Sequence, residues 1–244
     1  MIVRIAHRGA KLEAPENTMS AFTAAFNQGA TNIECDVRLT SDNVPIIMHD
    51  ATLERTTNGN GPVDQCTYQT IQSLDAGSWF HEDFKGTSIP QLSELLRWQK
   101  QSDIALHLEI KPMSPEVLNA GLDVILKQVY ALANTEKIFL LSFQYAVLER
   151  LQELNSPLPR VLSVFHCQQQ DIENAAAVNC RQINSSYNHV CRKSIQDIQD
   201  RGFQAGVFTI DHGAQIQELT QYNVDAVFID DMRLLNENTL SLGR

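Results

Sequence analysis

Short apolar runs rich in β-branched residues alternate with amphipathic stretches along the chain, and this alternation constrains the fold more than any other feature. The eight runs are residues 2–6, 32–37, 104–110, 137–141, 160–164, 181–184, 204–209 and 225–229. Such runs predict strands, and apolar residues at helical spacing between them predict helices, as after the potential cap Thr18 and in residues 144–155. Eight strand–helix units in 244 residues favour an α/β fold of the (β/α)8 TIM-barrel type over a doubly wound sheet, which usually has about six strands.

Residues 51–90 break this alternation. They include Asn-Gly-Asn-Gly-Pro at 58–62 and Gly-Ser-Trp-Phe at 77–80, which are typical of turns and loops. Because loops after barrel strands build the active-site mouth, we expect this segment to cover the site rather than to form an independent core. The predicted organisation is one barrel domain over residues 1–244, with a small inserted subdomain at about 51–90 after the second strand and its hairpin.

The charge balance and the cysteines exclude several classes of partner and site. Nineteen Lys and Arg against 29 Asp and Glu give a net charge of −10, which disfavours nucleic acid and anionic membrane surfaces as partners. No apolar run approaches the roughly 18 residues of a membrane span, and the N-terminal run lacks the apolar core of a secretory signal. The five cysteines lack a CxxC pair, so neither a disulfide framework nor a zinc cluster is predicted. We expect a cytoplasmic protein with reduced cysteines, no nucleic-acid partner and no stable membrane association, and the oligomeric state stays open.

Ionisable residues interrupt the predicted strands, although a buried strand should be almost wholly apolar. They are His7, Arg8, Glu34, Asp36, His49, Asp50, His107, Glu109 and Lys111. Because side chains alternate along a strand, Glu34 and Asp36 share one face of the second strand, and Glu109 and Lys111 share one face of the third. If these faces point into the barrel, charges of both signs meet at its mouth.

A hairpin after the second strand is expected to add a histidine to this group. Residues 42–43 (Asp-Asn) can form a two-residue loop, since Asn tolerates positive φ. Pairing Ser41 with Val44 then places Asp36 opposite His49, and a slip of one residue would turn His49 away.

Three carboxylates, Glu34, Asp36 and Glu109, suit a hard divalent cation such as Mg²⁺ or Ca²⁺, which prefers oxygen ligands. Spacing alone leaves a second interpretation open, in which Glu34 and Asp36 pair with Arg8 and Lys111 in a buried ion network without a metal.

Two histidines near such a site, His7 and His49, could act as general base and general acid, because an imidazole titrates near neutral pH. A histidine is more often a hydrogen-bonded structural residue, and that interpretation is kept for the others, including His81, His166 and His212.

A series of ordered motifs runs nearly from end to end of the chain. They are Ala-His-Arg-Gly at 6–9, Ala-Pro-Glu-Asn-Thr at 14–18, Ile-Glu-Cys-Asp-Val at 33–37, His-Asp at 49–50, Leu-Glu-Arg-Thr-Thr-Asn-Gly at 53–59, Asp-Ala-Gly-Ser-Trp-Phe at 75–80, Ile-Pro-Gln-Leu at 89–92, Leu-Glu-Ile-Lys-Pro at 108–112, Leu-Ser-Phe at 141–143 and Val-Asp at 224–225. With these motifs the chain resembles the glycerophosphodiester phosphodiesterase family, specifically its short cytoplasmic bacterial members, within the phospholipase C-like phosphodiesterase superfamily.

The resemblance implies a TIM barrel with a small insertion after the His-Asp dipeptide, and metal-dependent hydrolysis of glycerophosphodiesters such as glycerophosphocholine or glycerophosphoethanolamine to glycerol 3-phosphate and an alcohol. It implies roles for seven residues: an acid–base pair of His7 and His49, a site for one divalent cation, Mg²⁺ or Ca²⁺, at Glu34, Asp36 and Glu109, and contacts to the phosphate from Arg8 and Lys111. The choice of metal, the preferred alcohol, the assignment of acid and base, and the formation of a cyclic phosphate stay open.

Two other functions compete with this one. The first is a barrel lyase in which Lys111 forms a Schiff base, and the second is a non-catalytic glycerophosphodiester-binding protein. Relatives often carry Trp-Thr-Val-Asn where this chain has Phe-Thr-Ile-Asp at 208–211, which leaves the contacts to the leaving group in doubt. We expect residues 15–18 to be scaffold and residues 230–231 to close a loop rather than to touch substrate.

Overall fold

The computed structural model describes residues 2–235, which form nine strands and eight α-helices. The strands are β1 (Val3–His7), β2 (Asn32–Leu39), β3 (Pro45–Ile47), β4 (Ala105–Ile110), β5 (Ile138–Ser142), β6 (Arg160–Val164), β7 (Gln182–Ser186), β8 (Gln204–Ile210) and β9 (Ala226–Ile229). The helices are α1 (Met19–Asn27), α2 (Tyr68–Gln72), α3 (Leu92–Ser102), α4 (Pro115–Leu132), α5 (Tyr145–Glu153), α6 (Gln169–Ala177), α7 (Arg192–Gln199) and α8 (Gly213–Gln221).

Eight of these strands close a parallel barrel. The neighbours run in the order β1, β2, β4, β5, β6, β7, β8 and β9, and the pairing of β1 with β9 completes the circle. The strand β3 pairs antiparallel with β2 outside the circle. The predicted (β/α)8 barrel and all eight predicted strands are therefore confirmed, with small differences at the strand ends.

Local sequence explains where the helices begin. The hydroxyl of Thr18 accepts a hydrogen bond from the Ala21 amide at the start of α1, as its predicted capping role requires. Pro115 occupies the first turn of α4, where a missing N–H has no helical partner to lose. Every helix except α2, which lies in the insertion, buries its apolar face against the outer surface of the barrel.

The hairpin of β2 and β3 has a register that differs from the predicted one. Met48, not His49, lies opposite Asp36, and the Met48 amide donates to the Asp36 carbonyl at 2.8 Å. The predicted opposition of Asp36 and His49 was therefore wrong by one residue. His49 still reaches the site because it follows the end of β3, where strand alternation no longer sets the direction of its side chain.

The loop of the hairpin is the physical reason for this shift. The Thr40 amide donates to the Val44 carbonyl at 3.1 Å, which leaves three residues in the loop instead of the predicted two. Asn43 has a φ of 57°, the left-handed conformation that ends a three-residue hairpin loop. The hydroxyl of Thr40 also donates to Asp42 Oδ1 at 2.6 Å, which holds the longer loop in place.

The barrel interior has an apolar floor below a polar mouth. This floor is a cluster separate from the larger core between strands and helices, and it comprises Ile5, Leu141, Val161, Ala226 and Phe228. His107 stacks on Phe139 at the edge of this floor, with ring centroids 4.5 Å apart. The floor closes the barrel, so a ligand enters from the carboxyl ends of the strands.

The insertion at residues 51–90 folds around a small apolar cluster. Leu53, Val63, Ile71 and Ala76 contribute to it, together with Ile46, Met48 and Ile89. Because Ile46 and Met48 lie before the insertion, this small core is shared with the hairpin and is not independent of it. The chain before the insertion completes that core, which anchors the inserted segment to the hairpin.

Two further expectations concern membranes and cysteines. None of the helices within residues 2–235 has the length and apolar character needed to cross a membrane. All five cysteines are free thiols.

Candidate active site

A cavity of about 380 Å³ opens at the carboxyl ends of the barrel strands. Six of the seven predicted site residues line it, and the seventh, Asp36, is fully buried next to Glu34 and Glu109. Charged residues of β1, β2 and β4 and of the segments that follow them form one wall, and aromatic residues of the later strands form the other. The structure therefore brings all the predicted site residues together.

The end of β1 turns sharply at the edge of this cavity. His7 lies beside Glu34 in the pairing of β1 with β2. Arg8 and Gly9 both have positive φ, at 60° and 81°, and a Cβ at Gly9 would lie 2.7 Å from the Ala21 backbone carbon. Because only glycine fits there, Gly9 permits the turn that aims Arg8 at the neighbouring carboxylates.

Three carboxylates lie close together at one side of the cavity. One oxygen from each of Glu34, Asp36 and Glu109 lies within 4.8 Å of the other two. Burial, followed by repulsion from Asp36, raises the pKa of both Glu34 and Glu109. Burial acts on Asp36 in the same sense, but Lys111 and Arg8 outweigh it and lower the pKa of Asp36.

This cluster fits a divalent cation. Glu34 Oε1 is buried and has no hydrogen-bond partner among residues 2–235, so a strong acceptor is left unsatisfied. Oxygen donors are the ligands that Mg²⁺ and Ca²⁺ prefer, and a cation among them would relieve the repulsion that raises the pKa of Glu34 and Glu109.

Two side-chain cations share the same carboxylates. Lys111 Nζ lies 2.7 Å from Asp36 Oδ1 and also pairs with Glu109, and Arg8 Nε lies 3.3 Å from Asp36 Oδ2. Burial lowers the pKa of Lys111, but Asp36 and Glu109 outweigh it, so the pKa of Lys111 is raised. A Schiff-base lysine requires a lowered pKa, and this environment therefore disfavours the alternative barrel lyase.

Each candidate histidine is held through Nδ1 by an aspartate. His7 Nδ1 lies 2.7 Å from Asp230 Oδ1, and His49 Nδ1 lies 2.6 Å from Asp50 Oδ1. An ionised carboxylate only accepts hydrogen bonds, so both Nδ1 atoms donate and Nε2 of each ring is left for a ligand. Burial is the main reason why the pKa of both histidines is lowered.

Asp230 has contacts that the sequence analysis missed. It was expected only to close a loop, but it binds His7 and also lies 2.6 Å from Lys11 Nζ. The position of Asp230 directly after β9 could have predicted these contacts, because residues that follow barrel strands at the carboxyl end line the mouth.

The loop between β1 and α1, expected to be scaffold, also contacts the site. Asn17 Nδ2 donates to Asp36 Oδ2 at 2.7 Å, and the Asp36 amide donates to Asn17 Oδ1 at 3.2 Å. Glu16 accepts a hydrogen bond from Arg8 at 2.9 Å. The motif Pro-Glu-Asn-Thr predicts a helix start, and it does not indicate these two contacts.

Arg55 connects the insertion to the site. Its terminal nitrogens donate to Glu16 at 2.8 Å, and its Nε donates to Asp50 Oδ2 at 2.7 Å. Through Glu16 and Asp50 the insertion supports both Arg8 and His49.

An aromatic wall faces the charged groups. Phe143 lies 5.1 Å from Phe165 and 5.6 Å from Phe208 between ring centroids. Phe165 is 65% exposed at the rim. Trp79 and Phe80 lie in the insertion and pack against each other with centroids 5.7 Å apart, outside the residues that line the cavity.

Comparison with known proteins relates the chain to one family. The profile of the Glycerophosphoryl diester phosphodiesterase family matches residues 7–234. A glycerophosphodiester phosphodiesterase from Caldanaerobacter subterraneus is 30% identical over 233 residues, 95% of each chain. The structure is similar to that of an Oleispira antarctica phosphodiesterase in complex with the product sn-glycerol 3-phosphate, with a TM-score of 0.91, 28% identity and coverage of 95% of this chain and 94% of the other. It is also similar to a glycerophosphodiester phosphodiesterase from Agrobacterium tumefaciens, with a TM-score of 0.79, 30% identity and coverage of 96% and 98%. The resemblance drawn from the motifs is thereby confirmed: the chain belongs to the glycerophosphoryl diester phosphodiesterase family and is an enzyme that hydrolyses glycerophosphodiesters.

Proposed function

We propose that the enzyme converts glycerophosphodiesters such as glycerophosphocholine and glycerophosphoethanolamine to sn-glycerol 3-phosphate and an alcohol, by acid–base catalysis with one divalent cation. The observation that carries this proposal is the presence, at one cavity, of two aspartate-held histidines beside three clustered carboxylates. The sn-glycerol 3-phosphate bound to the Oleispira antarctica relative supports the choice of product.

Glu34, Asp36 and Glu109 would hold the cation, either Mg²⁺ or Ca²⁺. When bound, the cation would stabilise the negative charge that grows on the phosphate oxygens in the transition state. The three carboxylates suit both ions.

Arg8 and Lys111 would bind the phosphate oxygens. A chain with a net charge of −10 repels phosphate overall, so local cations are needed to hold it. Both side chains line the cavity and lie against Asp36, which keeps each cation in a defined position. Fixed charges stabilise a transition state without the reorganisation that water requires.

His7 and His49 would move the protons. One ring takes a proton at Nε2 from the nucleophile, either water or the neighbouring glycerol hydroxyl, and the other gives a proton to the departing alcohol oxygen. Asp230 and Asp50 keep Nδ1 protonated, which leaves the same nitrogen of each ring to act. A well-placed general acid or base increases the rate by a factor of about 10²–10⁴.

We also propose that the substrate is a free small molecule rather than nucleic acid or a lipid in a bilayer. The net charge of −10 supports this, since both alternatives present anionic surfaces. A cytoplasmic location stays a prediction.

The test is the release of glycerol 3-phosphate from glycerophosphocholine. Protein treated with EDTA is assayed before and after the addition of Mg²⁺ or Ca²⁺, with His49→Ala beside the unaltered chain. We expect release only with a divalent cation, and a loss of about 10²-fold or more in His49→Ala.

His166→Ala is the matched control, because His166 is an exposed histidine that follows β6 at the same end of the barrel and should retain full activity. Release that persists without any metal would exclude the metal-dependent mechanism. Tight binding of glycerophosphocholine without turnover under every condition would favour the binding protein.

A further inference from the structure

A second cavity, of about 490 Å³, adjoins the proposed catalytic one. The two cavities share Arg38, Lys111 and Pro112 in their walls. The second cavity lies among the β2–β3 hairpin, the start of the insertion and the start of α4, and polar groups such as Asn43, Thr52, Gln65 and Ser114 contribute to its walls. These three residues therefore form the boundary between the two cavities.

Arg38 is half-buried at the boundary between the cavities. Its Nε donates to the His49 carbonyl at 2.8 Å. A guanidinium carries five N–H donors, and the four on the terminal nitrogens of Arg38 have no direct hydrogen-bond or ion-pair partner within residues 2–235. Arg8 and Arg55 differ, since each of them is paired with Glu16. Arg38 is thus a cation with unused donors beside the substrate site.

We propose that Arg38 and the second cavity bind the leaving alcohol and favour alcohols with oxygen acceptors, such as a carboxylate or several hydroxyls, over alkylammonium alcohols. The inference rests on the proposed function, because it assigns one ester arm of the phosphodiester to this cavity.

Charge supports this selectivity. Among the described residues that line the second cavity, Asp64 is the one carboxylate, and Arg38 and Lys111 are the two cations. Lys111 is already paired with Asp36 and Glu109, so Arg38 is the cation left for a ligand. A carboxylate or hydroxyl would satisfy the donors of Arg38 with charge-assisted hydrogen bonds, whereas an alkylammonium group, which has no acceptor, could not. The competing location for a quaternary ammonium is the phenylalanine wall of the first cavity, where cation–π attraction is available.

The sharpest test compares two substrates that differ by one carboxylate, glycerophosphoserine and glycerophosphoethanolamine. We expect the unaltered enzyme to show a kcat/KM about tenfold higher for glycerophosphoserine. Arg38→Gln should abolish this preference, because kcat/KM should fall about tenfold more for glycerophosphoserine than for glycerophosphoethanolamine. Loss of the Arg38 contact to the His49 carbonyl would instead slow both substrates equally.

A second variant tests the cavity without altering Arg38. Gln65 lines the second cavity and not the first, so Gln65→Trp should narrow the second cavity without altering a proposed catalytic residue. We expect kcat/KM to fall about tenfold more for glycerophosphoinositol, whose alcohol is bulky, than for glycerophosphoethanolamine.

Three results would overturn the inference while leaving the proposed function intact: a preference of the unaltered enzyme for glycerophosphoethanolamine, an equal loss on both substrates in Arg38→Gln, or no effect of Gln65→Trp on glycerophosphoinositol. If the folded, metal-supplied enzyme hydrolysed none of the three substrates, the proposed function would fail, and the inference with it.

Discussion

Asp230 Oδ1 lies 2.7 Å from His7 Nδ1, so the last strand of the barrel holds a ring that the first strand presents. The two residues meet because β1 and β9 are neighbours at the closure of the barrel, with Ala6 beside Ile229. A histidine with Nδ1 fixed in this way offers Nε2 in one tautomer and one orientation. Closure of the barrel is thereby coupled to the orientation of the His7 ring.

Replacement of Asp230 tests this coupling. In Asp230→Asn the amide can donate to Nδ1, which would favour the tautomer with the proton on Nε2. We expect kcat to fall on the order of 10²-fold or more in a protein that still folds, because the size of the side chain is kept. The measurement is kcat on glycerophosphocholine with saturating metal.

Asp231→Asn is the control, since Asp231 pairs with Arg233 and does not line the cavity. It should retain kcat within a factor of about two. An Asp230→Asn enzyme as fast as the unaltered one would show that the aspartate contributes nothing to catalysis.

Arg55 offers a test of the insertion. We expect Arg55→Gln to lower kcat/KM about tenfold, because Glu16 and Asp50 both lose the partner that holds them against Arg8 and His49. Arg150→Gln removes an arginine from an exposed pair with Glu153 on α5 and should leave kcat/KM unchanged. Equal activity in the two variants would mean that the insertion does not support the site through Arg55.

The barrel was predictable from the sequence because its signal is local. A short apolar run predicts a strand, and a capping residue such as Thr18 predicts the start of a helix. The charged residues inside strands, among them Glu34 and Glu109, were identifiable for the same reason, since burial of an ionisable group contradicts the pattern around it.

The missed contacts depend on information that the local pattern lacks. His7 and Asp230 are 223 positions apart, and only closure of the barrel brings them together. The hairpin register depended on whether Asn43 was the second or the third residue of its loop, and positive φ is compatible with both. Hydrogen bonds of Thr40 decide between them.

Replacement of Glu34, a proposed metal ligand, should abolish the binding of the metal without preventing the protein from folding. In metal-free protein, Glu34→Gln is expected to raise the melting temperature above neutral pH, because burial and the nearby Asp36 carboxylate raise the pKa of Glu34 and make its charge unfavourable. Added Mg²⁺ or Ca²⁺ should raise the melting temperature of the unaltered chain, because a metal at 100 times its Kd adds about 2.7 kcal/mol to the free energy of unfolding. The melting temperature of the variant should not rise when metal is added.

Glu94→Gln, on the exposed face of α3, is the control and should respond to metal as the unaltered chain does. A full metal-induced shift in Glu34→Gln would remove Glu34 from the ligand set.

His107 should make stability depend on pH. It is buried against Phe139, its Nε2 lies 3.0 Å from Asn32 Oδ1, and burial lowers its pKa from 6.5 to about 3. Between those two pH values the unfolded chain binds a proton that the folded chain does not, so stability is lost as pH falls below 6.5. By pH 4.5 this single group should account for about 2–3 kcal/mol of lost unfolding free energy.

Urea unfolding at pH 7.0, 5.5 and 4.5 measures this loss. His107→Gln has no ring to protonate. Between pH 7.0 and 4.5 it should therefore lose about 2–3 kcal/mol less free energy of unfolding than the unaltered chain loses. Carboxylates also titrate in this range, but they are shared by both proteins and largely cancel in the comparison. His81→Gln, an exposed histidine in the insertion, should run parallel to the unaltered chain. Parallel curves for His107→Gln as well would mean that the His107 ring takes up its proton in the folded state, which its place on the apolar floor of the barrel should prevent.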